Sequence, residues 1–173
     1  IFTPIVERFG LPGRGVRSVL AQAPKRHASP EGQDMTVWFE QSVWGLEEAD
    51  PLTLDLAINV VNDAIEQEAC IIGAEHLVLA GTGLRRPHRI GGLMLFAPYL
   101  MRQGNLRETR SPHSVGTPVW IGHASDDRVV PIRFSERISE LLMLGRYASE
   151  FRSYTGGHEA FVGVEYDDVK SVI

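Results

Sequence analysis

The stretch Thr117–Pro131 reads TPVWIGHASDDRVVP, and after a helical segment Glu150–Glu159 reads EFRSYTGGHE. Thr117–Gly122 is an apolar run of strand length, and a polar loop follows it. Pro131 opens a segment with Phe134, Ile138, Leu141 and Leu142 on one helical face, closed by Gly145. Glu150–Tyr154 is the next strand. Strand, helix and strand in this order form one βαβ unit, which demands a parallel pair. In open parallel sheets, sites form beyond the carboxyl ends of the strands. Asp126 and Asp127 lie in the first such loop and His158 in the second. Asp127 and His158 are 31 positions apart, so parallel strands bring both to one edge of the sheet.

Working outward, the same alternation continues. Asp50-Pro51 is a helix start, with Asp as cap and Pro in the first turn. Leu54, Ile58, Val61 and Ile65 then mark one apolar face of a helix ending near Gly73. His76–Gly81 (HLVLAG) reads as a buried strand, and Gly92–Ala97 (GLMLFA) as another, stopped by Pro98. Nearer the N-terminus, Gly10–Gly15 is a turn, Arg17–Ala23 (RSVLAQA) is β-like, Lys25–Asp34 is a polar loop and Met35–Phe39 (MTVWF) is a short apolar segment. Asp167–Ile173 starts a last helix. Apolar strands alternating with amphipathic helices indicate an α/β protein whose mostly parallel sheet is covered on both faces. No domain boundary is visible, so residues 1–173 read as one domain.

Composition narrows the function. The chain has 173 residues, 43% hydrophobic and 23% charged, as in an ordinary globular domain. Its net charge of −5 argues against nucleic acid or an anionic membrane as partner. No apolar run is long enough to span a bilayer. Cys70 is the single cysteine, so no internal disulfide forms, in keeping with a reducing, cytoplasmic setting. The chain opens on Ile1 rather than Met and stops at Ile173 inside a helix start, which reads as cut at both ends.

An acid followed by a histidine at this spacing suits nucleophilic catalysis. A carboxylate fixes the imidazole tautomer while the other ring nitrogen takes a proton from a nucleophile. Gly156 and Gly157 allow the sharp turn that presents His158. The plain alternative is a loop carboxylate beside a surface histidine. His123 with Asp126, Asp127 and His113 offers no tight metal-ligand spacing, and Asp126 reads as a cap for the helix or loop that follows it. His88 with Arg85, Arg86 and Arg89 reads as a solvated turn.

These motifs resemble the phospholipase/carboxylesterase family of α/β-hydrolases, which includes acyl-protein thioesterases; fungal-type members look most similar. His123, Asp127, Val130 and Pro131 match an H-G-x-x-D-x-x-V-P-like loop, with Ala124 in place of Gly. Phe151, Tyr154, Gly156 or Gly157, and His158 match a later F-x-x-Y-x-G-x-x-H-like strand. AQAPKRHAS, MTVWFEQ and AEHLVLAG resemble upstream segments, so the resemblance covers about residues 9–169. It implies a three-layer α/β-hydrolase fold with a mostly parallel sheet. It also implies hydrolysis of carboxylic esters or thioesters through an acyl-enzyme, with Asp127 as orienting acid and His158 as base. The substrate would be a small-molecule or lipid ester, or an acylated protein. No cofactor and no metal are implied, since the chemistry uses side chains and water.

The chain departs from the family at the nucleophile. No G-x-S-x-G occurs anywhere in it. Ala80, Gly81, Thr82 and Gly83 run directly into LRRPHR and then IGGLMLFAPYL, and Gly83 falls where the nucleophile belongs. Residues 82–91 are too few for an elbow plus a mean helix of about 11–12 residues, and they contain Pro87. Either the two flanking strands rearrange or a segment is missing there. The N-terminal strands and the H-G-x-G-D segment of the oxyanion hole are also absent. Thr82 is the best-placed substitute nucleophile, but its β-branch resists an elbow's backbone. Cys70 reads as a small buried hydrophobe and Ser125 is too local to the acid loop. Trp38, Trp44, Phe39 and Tyr99 are candidate pocket residues for which core packing is the plainer use.

Three functional classes follow: an ester or thioester hydrolase whose chain is incomplete, a silent α/β-hydrolase relative that binds a partner, and an active hydrolase using Thr82 or a metal-bound water. A missing block between well-matched strands favours the first, because gradual decay would also scatter substitutions over Asp127 and His158.

Overall fold

The computed structural model describes residues 6–7, 10–27, 34–40, 50–81, 90–99 and 112–158. Their elements run β1 (Lys25–His27), β2 (Asp34–Thr36), α1 (Pro51–Ile72), β3 (Val78–Gly81), β4 (Gly92–Phe96), β5 (Val119–Ala124), α2 (Arg133–Leu144) and β6 (Ser149–Tyr154). β3-β4-β5-β6 form a four-stranded sheet in that order, and every pair is parallel. β1 and β2 form a separate antiparallel pair.

β5 is buried at every position, as expected of a strand covered on both faces. Its alternate residues feed two clusters. Trp120 packs with Met94, Phe96 and Leu11 on one side, where the Phe96 and Trp120 rings tilt at 58° with centroids 5.4 Å apart. Val119 and Ile121 pack with Leu95 and with Ile138 and Leu142 of α2 on the other. The buried face of α2 is Ser135, Ile138 and Leu142, one residue round from the expected stripe, and Phe134 is only half-buried.

α1 forms where Asp50-Pro51 places it. Asp50 accepts the Thr53 N–H at 2.8 Å, and Pro51 needs no partner for a missing N–H. Thr53 donates to the Asp50 carbonyl and accepts the Glu40 N–H, tying the helix start to the segment after β2.

Three expectations need correction. Arg17–Gln22 is exposed, Ala23 is half-buried, and the run forms no strand; the pairing occurs at Lys25–His27, where Asp34–Thr36 supplies a ladder partner. β3 is not buried: it alternates exposed and half-exposed, and Val78 is 50% exposed. It stands at the end of the described sheet, with β4 on one side only. Cys70 is exposed, because the last turn of α1 turns it to solvent together with Ile71 and Ile72.

The flanking strands do not rearrange. β3 and β4 pair in parallel from Val78 with Gly92 to Gly81 with Leu95. Residues 82–89, between them in sequence, lie outside the described residues. The backbone is tight where the chain re-enters the sheet: Gly91 donates to the Ala74 carbonyl, and a Cβ on Gly91 would overlap the Glu75 carbonyl oxygen.

Candidate active site

The carboxyl ends of β5 and β6 carry the site. Register runs to their last residues, with His123 opposite Ser153 and Ala124 opposite Tyr154. The ladder then continues into the loops, where Ser125 donates its N–H (2.7 Å) and its hydroxyl (3.1 Å) to the Tyr154 carbonyl.

Asp127 and His158 meet. His158 Nδ1–H donates to Asp127 Oδ2 at 2.9 Å. The Asp127 side chain is fully buried, whereas that of His158 is 42% exposed. Asp127 Oδ1 accepts the Val129 and Val130 N–H groups at 2.8 and 2.9 Å, an Asx-type turn that fixes the carboxylate plane. Burial raises the Asp127 pKa, but the His158 hydrogen bond and these two amides outweigh it and leave the carboxyl below its ordinary value. The acid is thus an anion that pins the proton on Nδ1. His158 Nε2, with no partner among the described residues, is left as the basic nitrogen.

His123 supports the acid from the core side. It is completely buried. Its Nε2 faces the Val130 carbonyl at 2.8 Å and Asp127 Oδ2 at 3.3 Å. Both are acceptors, so the proton sits on Nε2. Nδ1 lies 2.5 Å from Ser135 Oγ, whose one hydroxyl proton is shared between Nδ1 and the Pro98 carbonyl at 3.1 Å. A buried polar chain thus links the acid loop, the first turn of α2 and the end of β4. At that end Ala97 holds a φ of 42°, rare for a non-glycine residue, and its N–H donates to the Gly122 carbonyl.

Asp126 does not cap α2; Ile132 stands at that position without a side-chain cap. Its Oδ1 instead accepts the Gly156 and Gly157 N–H groups across the site, at 2.9 and 3.1 Å. These two amides hold its carboxyl below its ordinary value. Sequence reasoning misses Ser135 and assigns Asp126 only a capping role. For Ser135 a signal existed, since it is a polar residue at i, i+3, i+7 spacing with Ile138 and Leu142. For Asp126 no local signal exists, because its partners are 30 positions away.

The other candidates stay apart. Ser125 is committed to Tyr154. Trp38, Phe39 and Tyr99 are half-buried and belong to neither core cluster, and burial raises the Tyr99 pKa. Thr82, Gly83, Trp44, the Arg85–Arg89 turn with His88, and Asp167–Ile173 lie outside the described residues, and of His113 only the backbone is described. Among the described residues no group of three His, Cys, Asp or Glu side chains is placed to hold a metal ion. Among them, too, no helix is long and apolar enough to cross a membrane.

Comparison with known proteins identifies the family. Residues 16–173 match the phospholipase/carboxylesterase family. The chain belongs to that family. Its members are α/β-hydrolases that cleave carboxylic esters and thioesters. Among relatives, the chain is 25% identical to acyl-protein thioesterase 1 of Saccharomyces cerevisiae over 90% of this chain and 75% of that one. It is 25% identical to acyl-protein thioesterase 1 of Kluyveromyces lactis, covering 81% and 69%. The fold superposes on SOBER1 of Arabidopsis thaliana with a TM-score of 0.85 at 20% identity, covering 99% of this chain and 89% of that one. Acyl-protein thioesterase 2 of Zea mays superposes with a TM-score of 0.72 at 20% identity, covering 88% and 78%. The family shares its α/β-hydrolase fold with these structures.

Proposed function

We propose that this chain carries the acid and base of a serine-hydrolase triad without its nucleophile, and that as written it turns over esters negligibly. The observation behind this reading is the 2.9 Å bond from His158 Nδ1–H to a buried, anionic Asp127. It leaves Nε2 free on a side chain that is 42% exposed, in a chain whose β3–β4 connection contains no G-x-S-x-G. In the complete reaction, Nε2 takes the nucleophile's hydroxyl proton as its oxygen attacks the acyl carbon, then returns that proton to the departing alcohol or thiol. Water repeats the cycle on the acyl-enzyme. The substrate class is a carboxylic ester or thioester on a small molecule, a lipid or an acylated protein. The proposed setting is the cytoplasm, and the proposed unit is one domain over residues 1–173.

The test is hydrolysis of a short-chain p-nitrophenyl ester by the chain and by His158→Ala. Both are expected at the buffer rate. An ester-cleaving activity that His158→Ala abolishes would sink the reading and point to Thr82 as nucleophile. A second arm inserts a G-x-S-x-G turn and a helix of about 12 residues between Gly81 and Ile90. Hydrolysis that depends on both the new serine and His158 is the expected result. Sequencing the transcript across Ala80–Gly92 tells whether such a segment is encoded. A transcript lacking it shifts the weight to the silent, partner-binding relative.

A further inference from the structure

Two adjacent carboxylates in the acid loop reach the same turn by different routes. Asp127 holds the imidazole of His158, while Asp126 reaches the backbone just before it. We propose that Asp126 is a positioning residue: by accepting the Gly156 and Gly157 N–H groups it holds the turn that carries His158 in register with Asp127. The inference rests on the reading of His158 as the base.

The geometry favours this over an idle surface carboxylate. One oxygen accepts two successive amides of a segment 30 and 31 positions away. Successive amides converge on one atom only when the backbone between them curls, and the glycines supply the curl with φ of 152° and 72°. No atom lies within 4 Å of the Cβ that either glycine would carry. Glycine is required there by backbone direction, not by lack of space.

Among the described residues, little else steadies the turn. Thr155 and Gly156 are exposed and Gly157 is half-buried, so packing does not hold it. The ladder ends with the Ser125 bonds to Tyr154. Beyond Tyr154, the described hydrogen bonds to the turn are the two to Asp126 and the one between the side chains of Asp127 and His158. Hydrogen bonds to an ionised acceptor are roughly twice as strong as neutral ones. A turn held by its backbone arrives with His158 already aimed. A turn held only by the imidazole would swing away whenever that bond opened.

The experiment is NMR on the full chain and three variants, Asp126→Ala, Asp126→Asn and Asp127→Asn. The readouts are amide exchange at Gly156 and Gly157, amide exchange at core Ile121, and the His158 Nδ1–H resonance. None of them needs catalysis, so a failed ester assay leaves the test intact. Asp126→Ala is expected to speed exchange at both glycines at least about tenfold and to erase the Nδ1–H signal, with Ile121 unchanged. Asp126→Asn keeps a side-chain carbonyl that can accept both amides, and is expected to preserve both readouts. Asp127→Asn should alter the Nδ1–H signal while the glycines stay protected. The proposal is overturned by unchanged glycine exchange in Asp126→Ala, by an equal rise at Ile121, by Asp126→Asn behaving as Asp126→Ala, or by Asp127→Asn exposing the glycines to the same degree.

Discussion

The two ends of the parallel sheet are built from similar sequence and come out differently. β5 and β6 with α2 form a closed unit: β5 is buried throughout, α2 covers it, and their loops are joined by bonds from Ser125, Asp126 and Asp127. β3, at the other end, is as apolar in sequence as β5, yet it is half-exposed. α1, which precedes it, buries only Ala57 and leaves Leu52, Leu56 and Val60 exposed. The difference follows position in the sheet: β5 lies between β4 and β6, whereas β3 stands at the end of the described sheet, and β6 at the opposite end is half-exposed too. A strand's apolarity says that it can be buried; its neighbours on both sides decide whether it is.

Catalysis gives the largest test of this contrast. If the deficit lies wholly in the β3 half, a serine elbow added there should raise ester turnover by several orders of magnitude. Removing the nucleophile from a serine hydrolase costs on the order of 10⁶ in turnover. A serine supplied in the right turn with no gain in rate would mean that the acid–histidine half is not poised either.

Stability gives the next test. Ile121 is completely buried in β5, and Ile121→Ala should cost about 2–5 kcal/mol in urea unfolding. Val78, half-exposed in β3, should cost under about 1 kcal/mol when changed to Ala. Equal losses would show that β3 is covered after all. Gly157→Ala sits between them. Its Cβ meets nothing, so the cost is the left-handed backbone alone, about 1–2 kcal/mol.

Much of this was legible in the sequence, and the line between what was and was not is physical. The parallel sheet, the α1 start at Asp50-Pro51 and the meeting of Asp127 with His158 all rest on local periodicity or on a single βαβ unit. The misreadings came from burial and pairing, which need a second segment. Among the described residues, Arg17–Ala23 has strand-like residues without a ladder partner, and β3 has core-like residues left half-exposed. The cross-loop bonds of Asp126 and the His123–Ser135–Pro98 chain join residues that are neighbours only after folding. The residues nearest the missing chemistry, Thr82 and Gly83, lie outside the described structure.

Acid offers a finer separation of the halves. Asp126 and Asp127 have pKa values lowered by hydrogen bonds that exist only in the folded chain. A depressed folded pKa contributes stability that is present above the unfolded value, near 3.9 for Asp. It is lost as pH falls through the lower, folded value. Urea midpoints should therefore drop as pH falls from about 5 to 2, and Asp127→Asn should flatten that slope. Asp50 lies in the other half with the same sign of shift, caused first by the Thr53 N–H. Its side chain caps an exposed helix start, so Asp50→Ala should lower Tm by only a few degrees. The comparison sharpens if amide exchange is followed by segment in acid. Val129, Val130, Gly156 and Gly157 should lose protection together, because one loop pair holds them all. Thr53 should open on its own, because its acceptor belongs to the same helix start. Joint opening of Thr53 with the glycines would mean that the two ends of the sheet behave as one cooperative unit in spite of their unequal burial.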